Sequence, residues 1–538
     1  MEDNQNWYIN AIFYQVYVRA FCDSNGDGHG DLQGLISKLD YIQDLGVDCI
    51  WLMPIYPSPQ RDDGYDIADF TSVLGTYGTL ADFKQLIDGA HTRGLRVVTD
   101  LVLNHTSDEH PWFQAARTDR QSTFRDYYVW SDTDQKFRDA RIIFIDSQKS
   151  NWTWDEKAGQ FFWHRFYPTQ PDLNYDNPAV RAEMQAVMRF WLDLGIDGFR
   201  ADAIPYLFER EGTNCENLPQ THAFLKTVRA LLDSEYPGRI LLGEANQWPE
   251  DVRPYFADGN ELHMNFHFPL MPRLYLALHD QNVEPIKWVF ERTPAIPENC
   301  QWCTFLRNHD ELTLEMVTPE ERDALWQAYA PDTKMRLNLG IRRRLAPLLD
   351  NDMRRIRLMN ALLYSLPGTP ILYYGDEIGM GDNIELFDRN GVRTPMQWDE
   401  TRSAGFSTAK PEQFYAPLID KTPYDFRTVN VVQQDVDPDS LLNFMRMLIR
   451  HRKAHPELAS GTMEWVETDN PAVAAFTRRL GSKGVLAIFN LSDTSRGARI
   501  PRELRQEPRT DQLGSYLRLL PEQTNVNLKP YQFAWFNL

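Results

Sequence analysis

The stretch NPAVRAEMQAVMRFWLDLGIDGFRAD, residues 177–202, places a helix signal directly before a strand signal. Asn177 is a suitable N-cap residue, and Gly195 is a typical residue for the end of a helix. Residues 198–200 then form a short strand-like run that leads into Asp202. Because a helix that feeds a buried strand is the repeating unit of a parallel sheet, this stretch predicts an α/β fold.

Seven other short apolar runs repeat this pattern, and helical periodicity lies between them, as over residues 31–46 and 79–94. The predicted strands cover residues 13–17, 49–53, 96–100, 240–244, 262–266, 304–307 and 371–374. Continuous apolar runs suit strands that are buried on both faces. Eight strands that alternate with helices predict a (β/α)8 TIM barrel.

Two regions break the alternation and predict additional domains. Residues 105–172 are rich in aromatic and charged side chains with little helical period, which indicates a domain inserted after the third strand. Residues 456–538 contain short strands with turns between them, which predicts a C-terminal antiparallel β-sandwich domain. The barrel is then discontinuous and comprises residues 1–104 and 173–455.

The composition restricts the class of partner. The chain has 538 residues with a formal net charge of −20, and 42% of the residues are hydrophobic, which suffices for a large core. An acidic chain is poorly suited to bind nucleic acid or an anionic membrane, because both present phosphates. It suits a carboxylate-lined site for a neutral or cationic ligand. The acidic N-terminus has no apolar signal core, and no apolar run reaches about 18 residues, so we expect a cytoplasmic protein.

The five cysteines are not expected to form a disulfide framework, since their number is odd and their spacing is sparse. Cys300 and Cys303 form a CxxC pair, but no second such pair follows, and the segment continues into a predicted strand rather than a helix. We therefore expect buried or half-buried thiols instead of a redox or zinc site.

Charged residues recur where the predicted strands end. The third strand runs into Asp100 and His105, the fourth into Asp202, the fifth into Glu244 and the seventh into Asp310. Active sites of such barrels form at the carboxyl ends of the strands. Strand ends are often polar in any case. Taken alone, the charged end of the fourth predicted strand also fits a salt-bridged surface turn. Four matching ends together favour a convergent site.

This combination of carboxylates suits glycoside chemistry. One ionised carboxylate has to attack the anomeric carbon, and a second, protonated one has to give its proton to the leaving oxygen. Arg200 stands two residues before Asp202 on the same face of a strand, and it favours the ionised form of that acid. Glu244 follows an apolar strand, so we expect burial to raise its pKa and keep it protonated.

Several motifs resemble the conserved regions of the α-amylase superfamily. They are DLVLNH at 100–105, GFRAD at 198–202, Glu244, NHD at 308–310, and QPDLN at 170–174, the last of which resembles a motif of the oligo-1,6-glucosidase branch. Their order and spacing fit over nearly the whole chain. The resemblance implies a retaining double displacement, in which the two reacting carboxyl groups lie about 5–5.5 Å apart.

The resemblance also implies a role for each matching residue. Asp202 would be the nucleophile, Glu244 the acid/base, and Asp310 would bind sugar hydroxyls and help to distort the ring. The first sugar would be held by His105, Arg200 and His309, with Asp62 at the pocket floor, Tyr65 as the stacking ring and Arg393 as the partner of Asp62. No organic cofactor is implied.

The segment DSNGDGHGD, residues 23–31, is a candidate cation loop. Oxygen-bearing side chains stand at alternate positions, which suits Ca²⁺ or Mg²⁺; they belong to Asp23, Asn25, Asp27 and Asp31. His29 would contribute only its backbone carbonyl. Gly34 stands where a full EF-hand loop has its bidentate glutamate, so the loop departs from that motif. The alternative interpretation is a solvated acidic turn.

A second Ca²⁺ site rests on the resemblance alone. The superfamily often binds Ca²⁺ between the barrel and the inserted domain, and Asn104 and Asp172 match those ligands. Tyr206, Leu207 and Glu209 match the segment that completes the site. The alternative interpretation of Glu209 is an ordinary surface acid.

Residues 305–317 and 338–352 resemble one subfamily in particular, the trehalose synthases, and imply reversible isomerisation of maltose to trehalose with minor hydrolysis to glucose. Such a reaction needs a lid that retains the released glucose and excludes water, and we expect residues 105–172 and 311–350 to supply it. An α-glucosidase or oligo-1,6-glucosidase and a sucrose isomerase are alternatives with the same acids. A non-catalytic sugar-binding protein is disfavoured, because all three acids are present.

The expected partner is therefore a small disaccharide, maltose or trehalose. Some trehalose synthases carry or work with a kinase that phosphorylates maltose, and we expect any such maltose kinase to be a separate protein, because the predicted β-domain ends this chain. The acidic net charge does not decide whether the protein forms a homo-oligomer.

Overall fold

The structure, a computed structural model, describes residues 5–538 and contains a closed barrel of eight parallel strands. We number these barrel strands β1 to β8 in chain order; they are Phe13–Val16, Cys49–Leu52, Arg96–Val102, Gly198–Asp202, Ile240–Gly243, Met264–Phe266, Gln301–Phe305 and Thr369–Tyr373. Each strand pairs with the next, and β1 pairs in parallel with both β2 and β8, which closes the barrel. The predicted (β/α)8 fold is confirmed.

The helix before β4 begins and ends where its sequence predicts. It covers Pro178–Leu194, and the Asn177 side chain accepts a hydrogen bond from the Ala179 amide at 2.9 Å. Gly195 ends the helix in the left-handed region, with a φ of 108° that disfavours any side chain. The chain then enters β4, in which every residue is buried.

The remaining helices surround the barrel or lie in the segments attached to it. The α-helices are Val18–Phe21, Leu32–Ser37, Leu39–Leu45, Leu80–Thr92, Pro111–Thr118, Pro219–Glu235, Pro249–Val252, Leu270–Asp280, Glu284–Glu291, Pro319–Tyr329, Leu345–Leu348, Met353–Ser365, Val431–Val436, Leu441–Ala454 and Glu457–Ser460. The 3₁₀ turns are Trp7–Ile9, Arg125–Tyr127, Ile204–Tyr206, Arg253–Phe256, Thr333–Met335, Asp376–Ile378, Asn390–Val392 and Pro411–Gln413, with a ninth at Arg502–Leu504.

Residues 31–46 form two helices, where the sequence predicts one. The chain bends between Leu32–Ser37 and Leu39–Leu45. The first piece packs against helix Leu80–Thr92, and the second packs against helix Leu441–Ala454. The bend allows the two pieces to follow two differently placed neighbours.

Strand β7 begins three residues earlier than predicted, at Gln301. It therefore contains Cys303 and directly follows Cys300. Both thiols are buried, and all five cysteines of the chain are free, as the sequence predicts. Burial raises the pKa of the Cys300 thiol to about 11, which keeps it protonated and unreactive at neutral pH.

The segment between β3 and helix Pro178–Leu194 carries a small antiparallel sheet. Its strands, in spatial order, are Trp130–Ser131, Gln160–Trp163 and Trp152–Asp155. Two isolated bridges join the ends of this segment, one between His105 and Asp172 and the other between Tyr128 and Leu173. The Ser107 amide donates to the Ile67 carbonyl at 2.7 Å, which ties the start of the segment to the loop that follows β2.

A second antiparallel sheet follows β7 and lies at the rim of the barrel that bears the carboxyl ends of the strands. Its strands, in spatial order, are Leu312–Thr313, Gly340–Ile341 and Arg336–Leu337. Helix Pro319–Tyr329 connects the first of these strands to the other two and begins with a capping box between Thr318 and Glu321. This sheet and the inserted segment are the elements that rise above the barrel opening.

The C-terminal region consists of antiparallel sheets, as predicted. The main sheet contains Thr462–Trp465, Val473–Leu480, Lys483–Asn490 and Phe533–Asn537, and two smaller sheets pair Arg496–Arg499 with Asn525–Leu528 and Arg509–Thr510 with Arg518–Leu519. A separate apolar cluster forms between them, with Leu486 and Ile488 on one side and Val526 and Leu528 on the other. The region therefore has a core of its own.

Along residues 5–538, no helix combines the length and the apolar character needed to cross a bilayer. Residues 1–4, which begin the acidic N-terminal segment considered above, lie outside the described residues.

Candidate active site

Three carboxylates and one arginine meet at the carboxyl ends of β3, β4 and β5. Arg200 Nη1 donates to Asp100 at 2.7 Å and to Asp202 at 2.6 Å. Arg200 Nη2 lies 2.5 Å from Glu244 Oε1. Asp202 ends β4, and the alternation of side chains puts it on the same face of the strand as Arg200. One guanidinium therefore fixes the positions of all three acids relative to each other.

The acids predicted as a catalytic pair differ in their proton affinity. Burial raises the pKa of Asp202 to about 6, although Arg200 opposes the rise. Burial raises the pKa of Glu244 to about 8; Arg200 again opposes the rise, and the charge of Asp202 adds to it. Both acids contact one guanidinium, Asp202 at Nη1 and Glu244 at Nη2, and near neutral pH the proton resides on Glu244.

This closeness bears on the stereochemistry that the pair supports. Two carboxyl groups that contact the two terminal nitrogens of one guanidinium fit the about 5–5.5 Å of retaining enzymes better than the about 6.5–9.5 Å of inverting ones. The short separation leaves no room for a water molecule between Asp202 and the anomeric carbon of the sugar. It suits direct attack by Asp202.

Asp310 faces the same space from the end of β7. Its Oδ1 accepts hydrogen bonds from Arg389 at 2.8 Å and from Arg393 at 2.9 Å. Its Oδ2 lies 3.0 Å from Nε2 of His309. Burial favours the protonated form, but the hydrogen bond from the His309 ring and the charges of Arg389 and Arg393 outweigh it and hold the pKa of Asp310 well below its ordinary value. Asp310 is therefore ionised and offers its oxygens as acceptors.

The prediction that Arg393 pairs with Asp62 is wrong. Arg389 Nη2 donates to Asp62 Oδ1 at 2.6 Å, whereas Arg393 pairs with the neighbouring Asp63. Both arginines belong to the loop that follows β8. The 3₁₀ turn Asn390–Val392 lies between them and directs their side chains to different acids. The floor of the pocket is thus an Asp62–Arg389 ion pair.

Tyr65 and the two histidines complete the inner end of the site. The ring of Tyr65 stacks on that of His309, with centroids 5.4 Å apart and planes 13° from parallel. Nε2 of His105 lies 3.2 Å from the backbone carbonyl of Tyr65 and donates to it. Burial lowers the pKa of His105 to about 3 and that of His309 to about 4, so both rings are neutral. They serve as hydrogen-bonding groups without charge.

One cleft of about 840 Å³, counted with its open mouth, contains most of the predicted residues. The cleft is lined by Asp62, Tyr65, His105, Asp202, Glu244 and Asp310. Arg200, His309 and Arg393 lie behind this wall and reach the cleft through the acids that they contact. A concave cleft with several convergent polar groups is the usual form of a small-molecule site.

Two segments outside the barrel meet over the cleft and form a cover that we call the roof. It consists of residues 141–146 and 166 from the inserted segment and of residues 311–315 and 338 from the segment after β7. Arg141 donates to Glu315 at 2.7 Å, and the Asn338 amide donates to Asp146 at 2.7 Å. These contacts join the two halves of the roof directly.

The second predicted cation site brings three oxygen donors together. Asn104, Asp172 and Glu209 are all buried. Among the described residues, three of their oxygens have no hydrogen-bond partner: Asn104 Oδ1, Asp172 Oδ2 and Glu209 Oε1. Burial raises the pKa of Asp172 to about 8, and burial and Asp172 raise the pKa of Glu209 well above its ordinary value. Unpaired buried oxygens of this kind are costly, and a hard cation would satisfy them. The residues therefore fit Ca²⁺.

The loop at residues 23–31 gives no comparable support. Its acids accept hydrogen bonds from the loop itself, for example Asp23 from the Gly26 and Gly28 amides and Asp31 from the Ser24 amide. Within residues 5–538, no group of three or more His, Cys, Asp or Glu side chains converges on one point as metal ligands. The cation at this loop, with Asn25, Asp27 and the His29 carbonyl as further ligands, stays a prediction.

Sequence reasoning missed Arg389 and the roof residues Arg141, Glu311 and Glu315. Arg389 had a local signal, because it stands four residues before the predicted Arg393 in the same loop. The three roof residues lie in the two regions that the sequence predicts as a lid, and Glu311 and Glu315 also belong to the segment 305–317, but no feature marked them individually. Glu216, which contacts Arg141 from outside the cleft, was missed for the same reason.

The whole-chain comparison fits this geometry. The alpha-amylase catalytic domain family matches residues 15–336 and 341–461, which include the barrel, the inserted segment and the three acids. The chain belongs to the α-amylase superfamily and is an enzyme of that superfamily.

Within the superfamily, the chain groups with the trehalose synthases. It is 58% identical to the trehalose synthase/amylase of Mycobacterium tuberculosis over 493 residues, which are 90% of this chain and 82% of that protein. It is 50% identical to the trehalose synthase of Thermus thermophilus over 536 residues, 99% of this chain and 55% of that protein. Among solved structures, the trehalulose synthase from Pseudomonas mesoacidophila superposes with a TM-score of 0.80 at 27% identity, with 99% of each chain covered.

Proposed function

We propose that the protein isomerises maltose to trehalose, reversibly, by a retaining double displacement with minor hydrolysis to glucose. The observation that carries the proposal is the pairing of Asp202 with a protonated Glu244 on one guanidinium, beneath a roof made of two joined segments. The resemblance in sequence to enzymes named trehalose synthases, at 50–58% identity, supports this choice within the superfamily.

In the first step, a carboxylate oxygen of Asp202 attacks the anomeric carbon of the non-reducing glucose of maltose. The bond from that carbon to the glycosidic oxygen breaks, and Glu244 gives its proton to the oxygen, so that glucose is released and a glucosyl ester forms on Asp202. Asp310, held ionised by its arginines, accepts hydrogen bonds from hydroxyls of the bound sugar. The Asp62–Arg389 pair closes the floor, which limits the pocket to a single terminal glucose.

In the second step, the released glucose turns over and presents its own anomeric hydroxyl. Glu244, now ionised, takes the proton from that hydroxyl, and the resulting oxygen attacks the anomeric carbon and displaces Asp202. Inversion at each step leaves the α-configuration unchanged and forms an α-1,1 bond. If water attacks in place of glucose, the same steps give hydrolysis.

The roof supports transfer over hydrolysis, because it limits the exchange of the released glucose with solvent. Phe144 and Phe166 present apolar rings toward the cleft, and Glu311 and Glu315 present acceptors for sugar hydroxyls. The contact between Arg141 and Glu315 crosses the roof. A partly apolar cover of this kind limits the access of water to the ester.

The test is incubation with pure maltose in the presence of ¹³C-labelled glucose, followed by separation of the products. We expect trehalose as the main product, with little label, because the acceptor is the glucose that never leaves the cleft. Free glucose as the only product would refute the proposal in favour of an α-glucosidase. Heavily labelled trehalose would refute retention of the leaving glucose. Incubation with sucrose in the same assay tests the sucrose isomerase alternative.

We also propose that Ca²⁺ is bound by Asn104, Asp172 and Glu209, with Tyr206 and Leu207 beside them, and that it stabilises the joint between barrel and inserted segment. It takes no part in the chemical steps above. The three unpaired buried oxygens support this site. No organic cofactor is required by the proposed mechanism.

Removal of Ca²⁺ by a chelator is expected to lower the melting temperature by about 2–4 °C. The effect should be larger at pH 8 than at pH 5.5. Without a cation, the folded chain retains protons on Asp172 and Glu209, whose pKa values are raised, whereas the unfolded chain loses them near pH 4. The cation-free fold therefore loses stability as the pH rises from about 4 to about 8, and Ca²⁺ removes that loss.

Calorimetry with and without chelator checks this expectation, with Glu209→Gln as the test variant. Its matched control is Glu457→Gln, which changes a buried glutamate in helix Glu457–Ser460, next to the C-terminal sheet. The control should respond to Ca²⁺ as the parent does, and Glu209→Gln should not. An equal response of all three proteins would contradict the site.

A cytoplasmic location is part of the proposal. The support is chemical: the chain keeps five free, buried cysteines, which a reducing compartment preserves.

A further inference from the structure

Glu216 is a buried acid that joins several elements behind the cleft. Its Oε1 accepts from Arg141 Nε at 2.8 Å and from Arg165 Nη2 at 2.9 Å. Its Oε2 accepts from Gln247 at 2.8 Å. Two of these donors belong to the inserted segment, and Gln247 belongs to the loop that follows β5. The single carboxylate therefore ties the inserted segment to the barrel loop beside Glu244.

Glu216 acts on the cleft only through its neighbours. It is 7% exposed and does not belong to the residues found to line the cleft in the described chain. Arg141, by contrast, has its two other nitrogens on lining residues, with Nη1 at 2.7 Å from Glu315 and Nη2 at 3.1 Å from the Tyr206 hydroxyl. Glu216 holds the Nε edge of this guanidinium, so it fixes the orientation in which Arg141 reaches the roof.

The geometry makes the orientation of Arg141 depend on the charge of Glu216. Arg141 has about a third of its side chain exposed, and without a partner at Nε it can turn toward solvent. Its contact with Glu315 is the charged link between the two halves of the roof. Charge-assisted hydrogen bonds of this type are about twice as strong as neutral ones, and their loss at a buried carboxylate is not replaced by water.

We propose that Glu216 is a positioning residue that keeps the roof closed through Arg141, and thereby sets how the glucosyl ester partitions between the retained glucose and water. This inference rests on the proposed function. It concerns the fate of the ester and not its formation, because Glu216 has no contact with Asp202 or Glu244 in the described chain.

The test is Glu216→Gln, which preserves shape and removes charge. We expect the glucose fraction of the products from maltose to rise by about three- to tenfold. The rate on an aryl α-glucoside with a good leaving group, which reports ester formation, should change by less than about twofold. Glu216→Asp, which keeps the charge on a shorter side chain, should fall between parent and Glu216→Gln.

Two further variants separate positioning from general destabilisation. Arg141→Ala should raise the glucose fraction, and adding Glu216→Gln to it should have little further effect, because residues that act through one contact are not additive. Glu457→Gln, at a buried glutamate in helix Glu457–Ser460, which packs against the C-terminal sheet, should leave the fraction unchanged. If Glu216→Gln proves too unstable to assay, Gln247→Met removes one of the three contacts and should shift the fraction in the same direction.

The outcomes separate this inference from the proposed function. A parent enzyme that makes no trehalose would overturn both. A parent that makes trehalose, with a Glu216→Gln variant of unchanged glucose fraction, would overturn the role of Glu216 alone. A rise of the same size in Glu457→Gln, or full additivity with Arg141→Ala, would also overturn it.

Discussion

Replacing Asp202 by asparagine is expected to lower kcat on maltose by a factor of about 10⁴–10⁶, because no other group can form the glucosyl ester. Isomerisation and hydrolysis should disappear together, since both pass through that ester. The fold should survive, because Arg200 keeps Asp100 and Glu244 as partners. Product analysis by chromatography and a thermal melt measure the two effects.

The sign of the stability change is an additional check on Asp202. Burial raises the pKa of this carboxyl to about 6, so at pH 7 its charge costs folding stability that an amide would not cost. The melting temperature of Asp202→Asn at pH 7 should therefore be equal to that of the parent or higher. A fluorinated glucosyl fluoride should label a peptide containing Asp202 in the parent. Activity of the variant above about 1% of the parent would contradict the nucleophile assignment.

Glu244→Gln is expected to lower kcat on maltose by about 10²–10⁴, because the leaving oxygen then departs without a proton. The loss should be much smaller for formation of the ester from an aryl glucoside or glucosyl fluoride, whose leaving groups need no proton. This contrast between substrates distinguishes an acid from a binding residue, which would affect all of them alike.

The pH profile follows from the same pair. Asp202 has to be ionised, so kcat/KM should fall as the pH drops below about 6. Glu244 has to be protonated, so kcat/KM should fall as the pH rises above about 8. The two limbs belong to the coupled pair as a whole. In Glu244→Gln, measured on glucosyl fluoride, the alkaline limb should vanish; its persistence would show that another group titrates there.

The barrel and its three acids can be predicted from the sequence because each rests on local information. A strand such as β4 is buried along its whole length, and the residue that ends it, Asp202, is placed by the register of that strand alone. The same holds for Glu244 after β5 and Asp310 after β7. Their convergence follows once the strands are known to be parallel and closed into a barrel.

The pocket floor is a part of the site that local sequence information does not predict. Arg389 and Arg393 stand four residues apart in one loop, and only the turn between them decides which one reaches Asp62, more than 300 residues away in the chain. The roof is a similar case: the sequence predicts which two regions form a lid, but not that Arg141 in one of them contacts Glu315 in the other. Contacts between irregular segments depend on the complete fold, so the sequence alone does not specify them.

The roof has a consequence for how this catalyst can change over evolution or in the laboratory. Bond breaking depends on groups at the strand ends of the barrel, whereas the choice of acceptor depends on two loops that leave the barrel and meet above it. Mutations in those loops can turn a transferase into a hydrolase, or admit a different acceptor, while the machinery that cleaves the glycoside stays untouched. The product that forms can therefore change independently of the ability to cleave the glycosidic bond.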